Sequence, residues 1–560
     1  MSRKYSVALL LVLSAVWIRW GVGPSYISPD GSGYFSYLHS ILVDQDLDFE
    51  NEFRELKWPM PLVTTPTGYL SNIWPVGTAW LLSPLCILGQ VWYHFFGRAI
   101  GQSPLQWLLI FFNLGSGLYG CAAVWLCFLE LKDSGLTAQM SWGLALASFL
   151  GTPLLFYSFS APSTSHAVSA LMVSLFLLFW IRSVRQNDQS LGRWFFLGLL
   201  LGAGGTVRTE NLIYMMAPLC EWVYLMRSPD SKIRVSLKFL GVYSLGVLLG
   251  FSPQLYCWKI LYGRFFSSPQ VFNLSRDNFA LTDVLFSPFH GLLPWTPLFL
   301  VGFLGLALTM RRNFLHLALF LCVLAQVLLS SFAVAWWGGY SFGIRVLTGC
   351  FFPMALGLGI LVSELNRSSP RRARVALALF AGLALWTFSL CLQAMIGWID
   401  LSDFVLSWGT ILKWQGRILE AAAVAFTRFF RNRYLSNLEF ILVFFSVWGV
   451  GGFLWVLHRF FQKRLIPSLA IGLTGFILLF HLKLFQAQRH GPQIRSEIPS
   501  VQADLSKDFL IQALHARWYY ELSRNDLSRA RRTIDRHLQM DAQSIEAQQA
   551  LRYVNRREGR

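Results

Sequence analysis

The stretch Ile27-Ser-Pro-Asp-Gly-Ser-Gly-Tyr-Phe35 stands directly behind the first hydrophobic segment of a 560-residue chain. Upstream, Arg3 and Lys4 precede an apolar run at 5–18 with no clear small-x-small cleavage site after it. That run reads as a retained first span, roughly 5–23, with the N-terminus in the cytoplasm. Downstream comes Asp44-Gln-Asp-Leu-Asp-Phe-Glu-Asn-Glu52, so a cluster of carboxylates is expected at a membrane surface. Asp30 sits between Pro29 and Gly31, where a helix is expected to end and the backbone can approach a ligand.

Composition widens this reading to the whole chain. With 54% hydrophobic and 14% charged residues, the protein is too apolar for a water-soluble globule. Many apolar stretches approach the ~18 residues a helix needs to cross a bilayer. The net charge of +18 would suit nucleic acid, but the basic residues gather in short loops between apolar runs. There they set orientation, and no nucleic-acid partner is expected. The eight cysteines lie in or beside apolar segments without a CxxC pair, so they read as small buried hydrophobes.

Loop charge then fixes the topology. If the Pro- and Gly-broken piece 73–97 is a juxtamembrane or re-entrant element, later spans start near 105, 139, 166, 194, 211, 236, 295, 314, 346, 374, 437 and 465. The basic clusters at 132, 182–193, 227–238, 311–312, 367–374 and 459–464 then fall in the cytoplasm. The fold expected is an all-α polytopic membrane domain, residues 1–485, with about thirteen transmembrane helices. It carries a first outer loop at 24–72, an outer loop at 259–294 and an interfacial helix at 401–432. That helix would bring Trp408, Ile411, Leu412, Ile418 and Leu419 to its apolar side. The outer segment around it, 397–435, carries Lys413, Arg417, Arg428, Arg431 and Arg433, against the orientation rule. Residues 486–560 turn polar and helical, with Asn525-Asp526 as turn and cap and Ala530 as a small packing position. This resembles a tetratricopeptide pair plus one helix. A single such repeat is marginal alone and must dock on the membrane domain or a protein partner.

In this topology the polar motifs share one side. They are Asp30, the 44–52 run, Ser163-Thr-Ser-His166, Arg208-Thr-Glu210, Ser287-Pro-Phe-His-Gly-Leu-Leu-Pro294 (with His290), and Trp336-Trp-Gly-Gly-Tyr-Ser-Phe-Gly-Ile-Arg345. Polar groups converging at one face of a bundle suit a polar headgroup carried by a lipid. Each motif also has a plainer reading. Asp30 could cap the next helix. Asp44-x-Asp46-x-Asp48 with Glu55 echoes a calcium loop, but Phe49 stands where the turn needs Gly. His166 could be an interfacial histidine, Arg208 and Glu210 could simply pair, and Trp336, Trp337 and Tyr340 could form an aromatic belt.

On these motifs the chain resembles the GT-C superfamily of polyprenyl-phosphate-sugar glycosyltransferases. It is most similar to protein O-mannosyltransferases and the aminoarabinose–lipid A transferase. The resemblance covers roughly 1–485 and rests on Asp30 in the first outer loop, Asp46-Leu-Asp-Phe-x-Asn-Glu52, Ser165-His166, Pro288–Pro297 and the Trp336–Arg345 motif. It implies transfer of a sugar from a polyprenyl-phosphate donor to a hydroxyl of a glycan, lipid or protein, with inversion. The implied location is the periplasmic face of a bacterial inner membrane. Asp30 would be the catalytic base or orienting acid. Arg345, with Arg208 second, would bind the lipid phosphate. His166 and Glu210 would support them, and Trp336, Trp337 and Tyr340 would line the sugar site. Many members carry a second carboxylate in the next outer loop. Here His166 takes that place, so no second carboxylate supports a divalent metal; no cofactor is certain, and a metal stays open.

A different class competes. A transporter or flippase of lipid-linked sugars would also gather charge in a many-span bundle, although internal repeats and mid-membrane polar groups are its usual marks. A non-catalytic assembly protein acting through its C-terminal helices is the third alternative.

Overall fold

The computed structural model describes residues 27–58, 62–97, 103–227, 233–267, 274, 279–401, 406–431, 465–489, 491 and 505–558. The expected spans at 5–23 and from 437 lie outside these residues. Among them there is no strand, only isolated bridges at Thr64–Leu70 and Leu274–Ala333.

The helices that matter here run in chain order. At the first polar loop are α1 (Pro29–His39), α2 (Glu50–Glu55) and α3 (Gly77–Trp92). The bundle follows with α4 (Pro104–Asp133), α5 (Ala138–Leu150), α6 (His166–Arg185), α7 (Leu191–Val207), α8 (Met216–Met226) and α9 (Ile233–Tyr262). It continues with α10 (Pro297–Thr309), α11 (Phe314–Phe332), α12 (Phe351–Ser368) and α13 (Pro370–Met395). Then come α14 (Trp408–Gln415), α15 (Ile418–Arg431) and α16 (Leu465–Gln488), and the polar end forms α17 (Leu505–Ser523), α18 (Leu527–Met540) and α19 (Ile545–Arg557).

Among the described residues seven helices are long and apolar enough to cross a membrane, centred on α4, α6, α9, α11, α12, α13 and α16. This differs from the expected thirteen for physical reasons. The span expected from 139 is the 13-residue α5, which stops at Gly151. Those from 194 and 295 are α7 and α10, apolar but of 17 and 13 residues. The span expected near 211 does not start as an α-helix. Arg208 takes an extended backbone, and Thr209–Met215 winds as a 3-10 turn before the 11-residue α8. The 73–97 piece becomes α3, 16 residues with Pro84 inside, closed by a π turn at Tyr93–Gly97.

The bundle is drawn tight by glycines. A Cβ on Gly198 or Gly202 of α7 would collide with backbone carbonyls of α9, and a Cβ on Gly246 or Gly250 of α9 would collide with those of α7. Two facing Gly-x-x-x-Gly surfaces let the backbones touch, which is how helices associate where water is absent. Elsewhere Leu237, Leu245 and Leu248 on α9 and Ile471, Leu478 and Leu482 on α16 are exposed. Apolar faces of that length suit hydrocarbon, and the chain is a helical membrane protein in character.

The C-terminal ends of α4, α6, α10 and α12 meet at one end of the bundle. There Arg182 pairs with Asp133 (2.6 Å), Arg185 with Glu130 (2.7 Å) and Arg312 with Glu364 (3.6 Å). Arg193, expected as a loop charge, is instead buried and forks onto Glu221 at 2.7 and 2.6 Å. A cavity of about 630 Å³ opens at this end.

Along the interfacial stretch the apolar side splits. Ile411 is buried, and Ala421 and Ala425 pack on Leu392 and Ile396, while Leu412 and Leu419 point away from the protein. In the polar end, Asp526 caps α18 as expected, accepting from the Arg529 amide at 3.1 Å. α17–α19 enclose a small core of Trp518, Ala530, Ile534, Ala547 and Val554. The unit docks on the membrane domain. Arg517 donates to the Val334 carbonyl (3.0 Å), Arg529 pairs with Asp283 (3.0 Å), and the Tyr520 hydroxyl meets Asp283 (3.1 Å) and Ser287 (2.8 Å).

Candidate functional site

Asp30 begins a helix; it does not follow one. Ser28 is the N-cap, its hydroxyl accepting from the Gly31 amide at 3.0 Å, and Pro29 opens the first turn with a φ suited to that position. Capping is therefore done by Ser28, and the Asp30 carboxylate is left for another partner.

That partner is Arg345. Its Nη1 donates to Asp30 Oδ2 at 2.7 Å, with both side chains about one-fifth exposed. The bend Gly338-Gly339 makes room for it. Gly338 has φ +80°, and a Cβ there would lie 3.1 Å from Arg345 Cγ. A residue with a side chain would be strained there and would press on the arginine.

The Ser163–His166 motif anchors α1. Ser163 Oγ accepts from the Ser28 amide (3.0 Å) and lies 2.9 Å from Ser28 Oγ. Ser165 Oγ joins the Tyr34 hydroxyl (3.0 Å) to Arg208 Nη1 (3.2 Å), and Arg208 in turn grips Glu210 through Nε at 2.6 Å. Gln326 Nε2 donates to the Glu210 carbonyl at 2.8 Å and fixes the 3-10 turn from the opposite helix. Burial pushes the Tyr34 phenol up to about 12, against the pull of Arg208, so it stays protonated at neutral pH. His166 is buried against the Tyr157 ring, 4.3 Å between centroids, and its Nε2 has no hydrogen-bond partner among the described residues. The Tyr157 hydroxyl accepts from the Phe342 amide at 3.0 Å, tying this wall to the Arg345 loop.

The structure thus brings together Asp30, Arg345, His166, Arg208 and Glu210 from four distant segments. It does not bring the remaining candidates to them as an open wall. Trp336 and Trp337 are 0% and 2% exposed, and Tyr520 of α17 lies against both, at 5.9 and 6.0 Å. Tyr340 is 68% exposed and turned outward. His290 is buried beneath, its Nε2 donating to the Leu401 carbonyl (3.1 Å) and its ring stacked on Trp295 at 5.2 Å. The acidic run folds at the far end of α1, nine residues on, ~14 Å from Asp30 at 1.5 Å per residue.

Sequence reasoning missed three contributors. Ser28 was legible, since Ser-Pro-Asp is an N-terminal helix signature. Tyr157 and Tyr520 had no local signal, because only tertiary packing brings them to the Arg345 loop. Two Arg–carboxylate pairs flanking a serine-rich turn, and a buried imidazole whose Nε2 has no hydrogen-bond partner among the described residues, can bind an anion and exchange a proton beside it. No protein-family model matches the chain, and no curated protein matches it in sequence.

Proposed function

We propose that the chain is a membrane glycosyltransferase of GT-C type that moves a sugar from a polyprenyl phosphate to an acceptor hydroxyl. The observation carrying this reading is the Asp30–Arg345 pair, held at 2.7 Å between segments 315 residues apart. Asp30 Oδ1 makes no hydrogen bond among the described residues, and four of the five Arg345 N–H donors remain for a ligand. The acceptor oxygen attacks the anomeric carbon, its proton passes to Asp30, and the carbon–oxygen bond to phosphate breaks. Arg345 and then Arg208 take up the charge of the departing polyprenyl phosphate. A single displacement inverts the anomeric centre. His166 Nε2 is placed to orient the acceptor or the sugar.

The site end is assigned to the periplasmic face of a bacterial inner membrane because the paired arginines of α6, α10 and α12 collect at the opposite end. With α7 and α10 counted beside the seven longer helices, the described residues supply nine of the roughly thirteen spans expected. The C-terminal helices, TPR-like in pattern, serve as a docked cap. The test is transfer of label from radiolabelled polyprenyl-phosphate sugars to membrane extract by purified protein in nanodiscs, wild type beside Asp30→Asn. Label appearing in a new product with wild type alone supports the assignment. Movement of labelled lipid across a proteoliposome bilayer without any product would favour a flippase.

A further inference from the structure

The acidic run does not form the calcium loop its spacing echoes. Glu55 is exposed, and the carboxylate that closes the loop is Glu52, on α2. The chain leaves α1 at His39, turns through a π turn at Ser40–Asp44, passes Gln45 in a left-handed conformation (φ 58°) and returns to lay Glu52 on His39. His39 Nδ1 ends 2.9 Å from Glu52 Oε1 and 3.0 Å from Asp44 Oδ2.

This cluster is short of protons. One imidazole nitrogen faces two carboxylate oxygens, yet it can carry a single hydrogen. One hydroxyl, Ser40 Oγ, stands 3.1–3.2 Å from three acceptors: Asp46 Oδ1, the Asp48 carbonyl and Glu52 Oε1. Asn51 supplies a further donor, to Asp44 Oδ2 at 2.8 Å. Glu52 is 2% exposed, and its second oxygen, Oε2, is buried and accepts no hydrogen bond among the described residues. A buried carboxylate oxygen without a donor is costly unless a cation answers it.

We propose that His39, Asp44 and Glu52 hold a divalent first-row transition-metal ion, zinc or manganese. The three ligand atoms all lie within 4.8 Å of one another. Around a tetrahedral centre with bonds of ~2.1 Å, ligand atoms stand ~3.4 Å apart, so the imidazole and carboxylates spread by a few tenths of an ångström to admit the ion. One imidazole with two carboxylates suits zinc or manganese; calcium prefers six to eight oxygens and magnesium mostly waters. Ser40 and Asn51 hold the ligating oxygens from outside, as second partners of metal ligands do. The ion sits at the end of α1 remote from Asp30, so it pins the helix that carries Asp30 without touching the reacting atoms. This assignment is independent of the proposed transfer reaction.

The test uses the full chain purified in detergent, with metal content measured by mass spectrometry and unfolding followed by heating. About one zinc or manganese ion per chain is expected, falling to background in His39→Gln and in Glu52→Gln. Stripping wild type with EDTA should lower the melting midpoint, and Zn2+ or Mn2+ should restore it where Ca2+ and Mg2+ do not. Should either variant fold poorly, strip and add-back on wild type decides alone. A wild-type midpoint indifferent to EDTA and to added zinc or manganese overturns the site, as does equal metal content in His39→Gln. Restoration by calcium alone overturns the choice of metal.

Discussion

Arg345 reaches across the membrane domain to Asp30, Nη1 to Oδ2 at 2.7 Å, and joins the first polar loop of the chain to the loop between α11 and α12. Replacing Asp30 by Asn keeps the shape and removes the proton acceptor. Transfer should fall by ~10²-fold or more, the scale of a lost general base, while the protein elutes from size exclusion as wild type does. Turnover near wild type in Asp30→Asn would take the residue out of the mechanism.

Arg345→Lys keeps a charge but loses the fork that can serve Asp30 and a phosphate together. Its expected signature is a KM for the polyprenyl-phosphate donor raised at least tenfold, or ~1.4 kcal/mol, with donor titrations as the measurement. An unchanged donor KM would move phosphate binding to Arg208.

α1 has no room on the face that Gly33 presents to Trp74, where an added Cβ would overlap the indole. Gly33→Ala should cost ~1–3 kcal/mol through overpacking. Gly143→Ala on α5, where a Cβ meets nothing within 4 Å, should be neutral or stabilising by up to ~1 kcal/mol. Melting midpoints of the two variants in one detergent make the comparison, and equal midpoints would contradict the packing of α1.

The buried fork of Arg193 on Glu221 is completed by Ser183 (2.7 Å) and the Trp180 indole (2.9 Å). Glu221→Ala leaves a guanidinium 1% exposed with no counter-charge. The expected loss is ~3–5 kcal/mol, read as a lowered melting midpoint. The double change Arg193→Met/Glu221→Leu should recover most of it, and failure to do so would show that the pair is not the source of the loss.

Tyr520 anchors the polar end through Ser287 and Asp283 and lies on both tryptophans. Tyr520→Ala should release α17, shift tryptophan emission to the red and open α17–α19 to protease. Tyr520→Phe, which loses only the hydroxyl bonds at ~0.5–1.5 kcal/mol, should leave the emission unchanged. Identical protease patterns in wild type and Tyr520→Ala would remove the anchor.

The parts legible in the sequence were those set by local chemistry. Long apolar runs became α4, α6, α11 and α13, and Asn525-Asp526 became the turn and cap it promised, with Asn525 at φ 55°. What misled was competition between local signals. Pro29 was read as a stop when Ser28 ahead of it makes it a start. Glu55 fitted a calcium spacing, but the π turn after His39 brings Glu52 to the cluster instead. The segment after Arg208 was apolar enough for a span, yet the Arg208–Glu210 pair and Asn211, bonded to Ser169 (2.9 Å) and the Gly204 carbonyl (2.9 Å), hold it in a tighter turn. Trp336 and Trp337 read as a ligand wall because nothing nearby in sequence says that Tyr520 covers them.

The placement of Tyr520 has a consequence for how the molecule is made. The ribosome delivers the Trp336–Arg345 loop well before α17, so after it emerges both indoles lack for a time the Tyr520 ring that lies against them. The loop gains that cover only once α17 has been made and has folded against it. Completion of the Arg345 loop thus waits on synthesis of α17, and a chain stopped before Tyr520 carries two indoles that lack their cover.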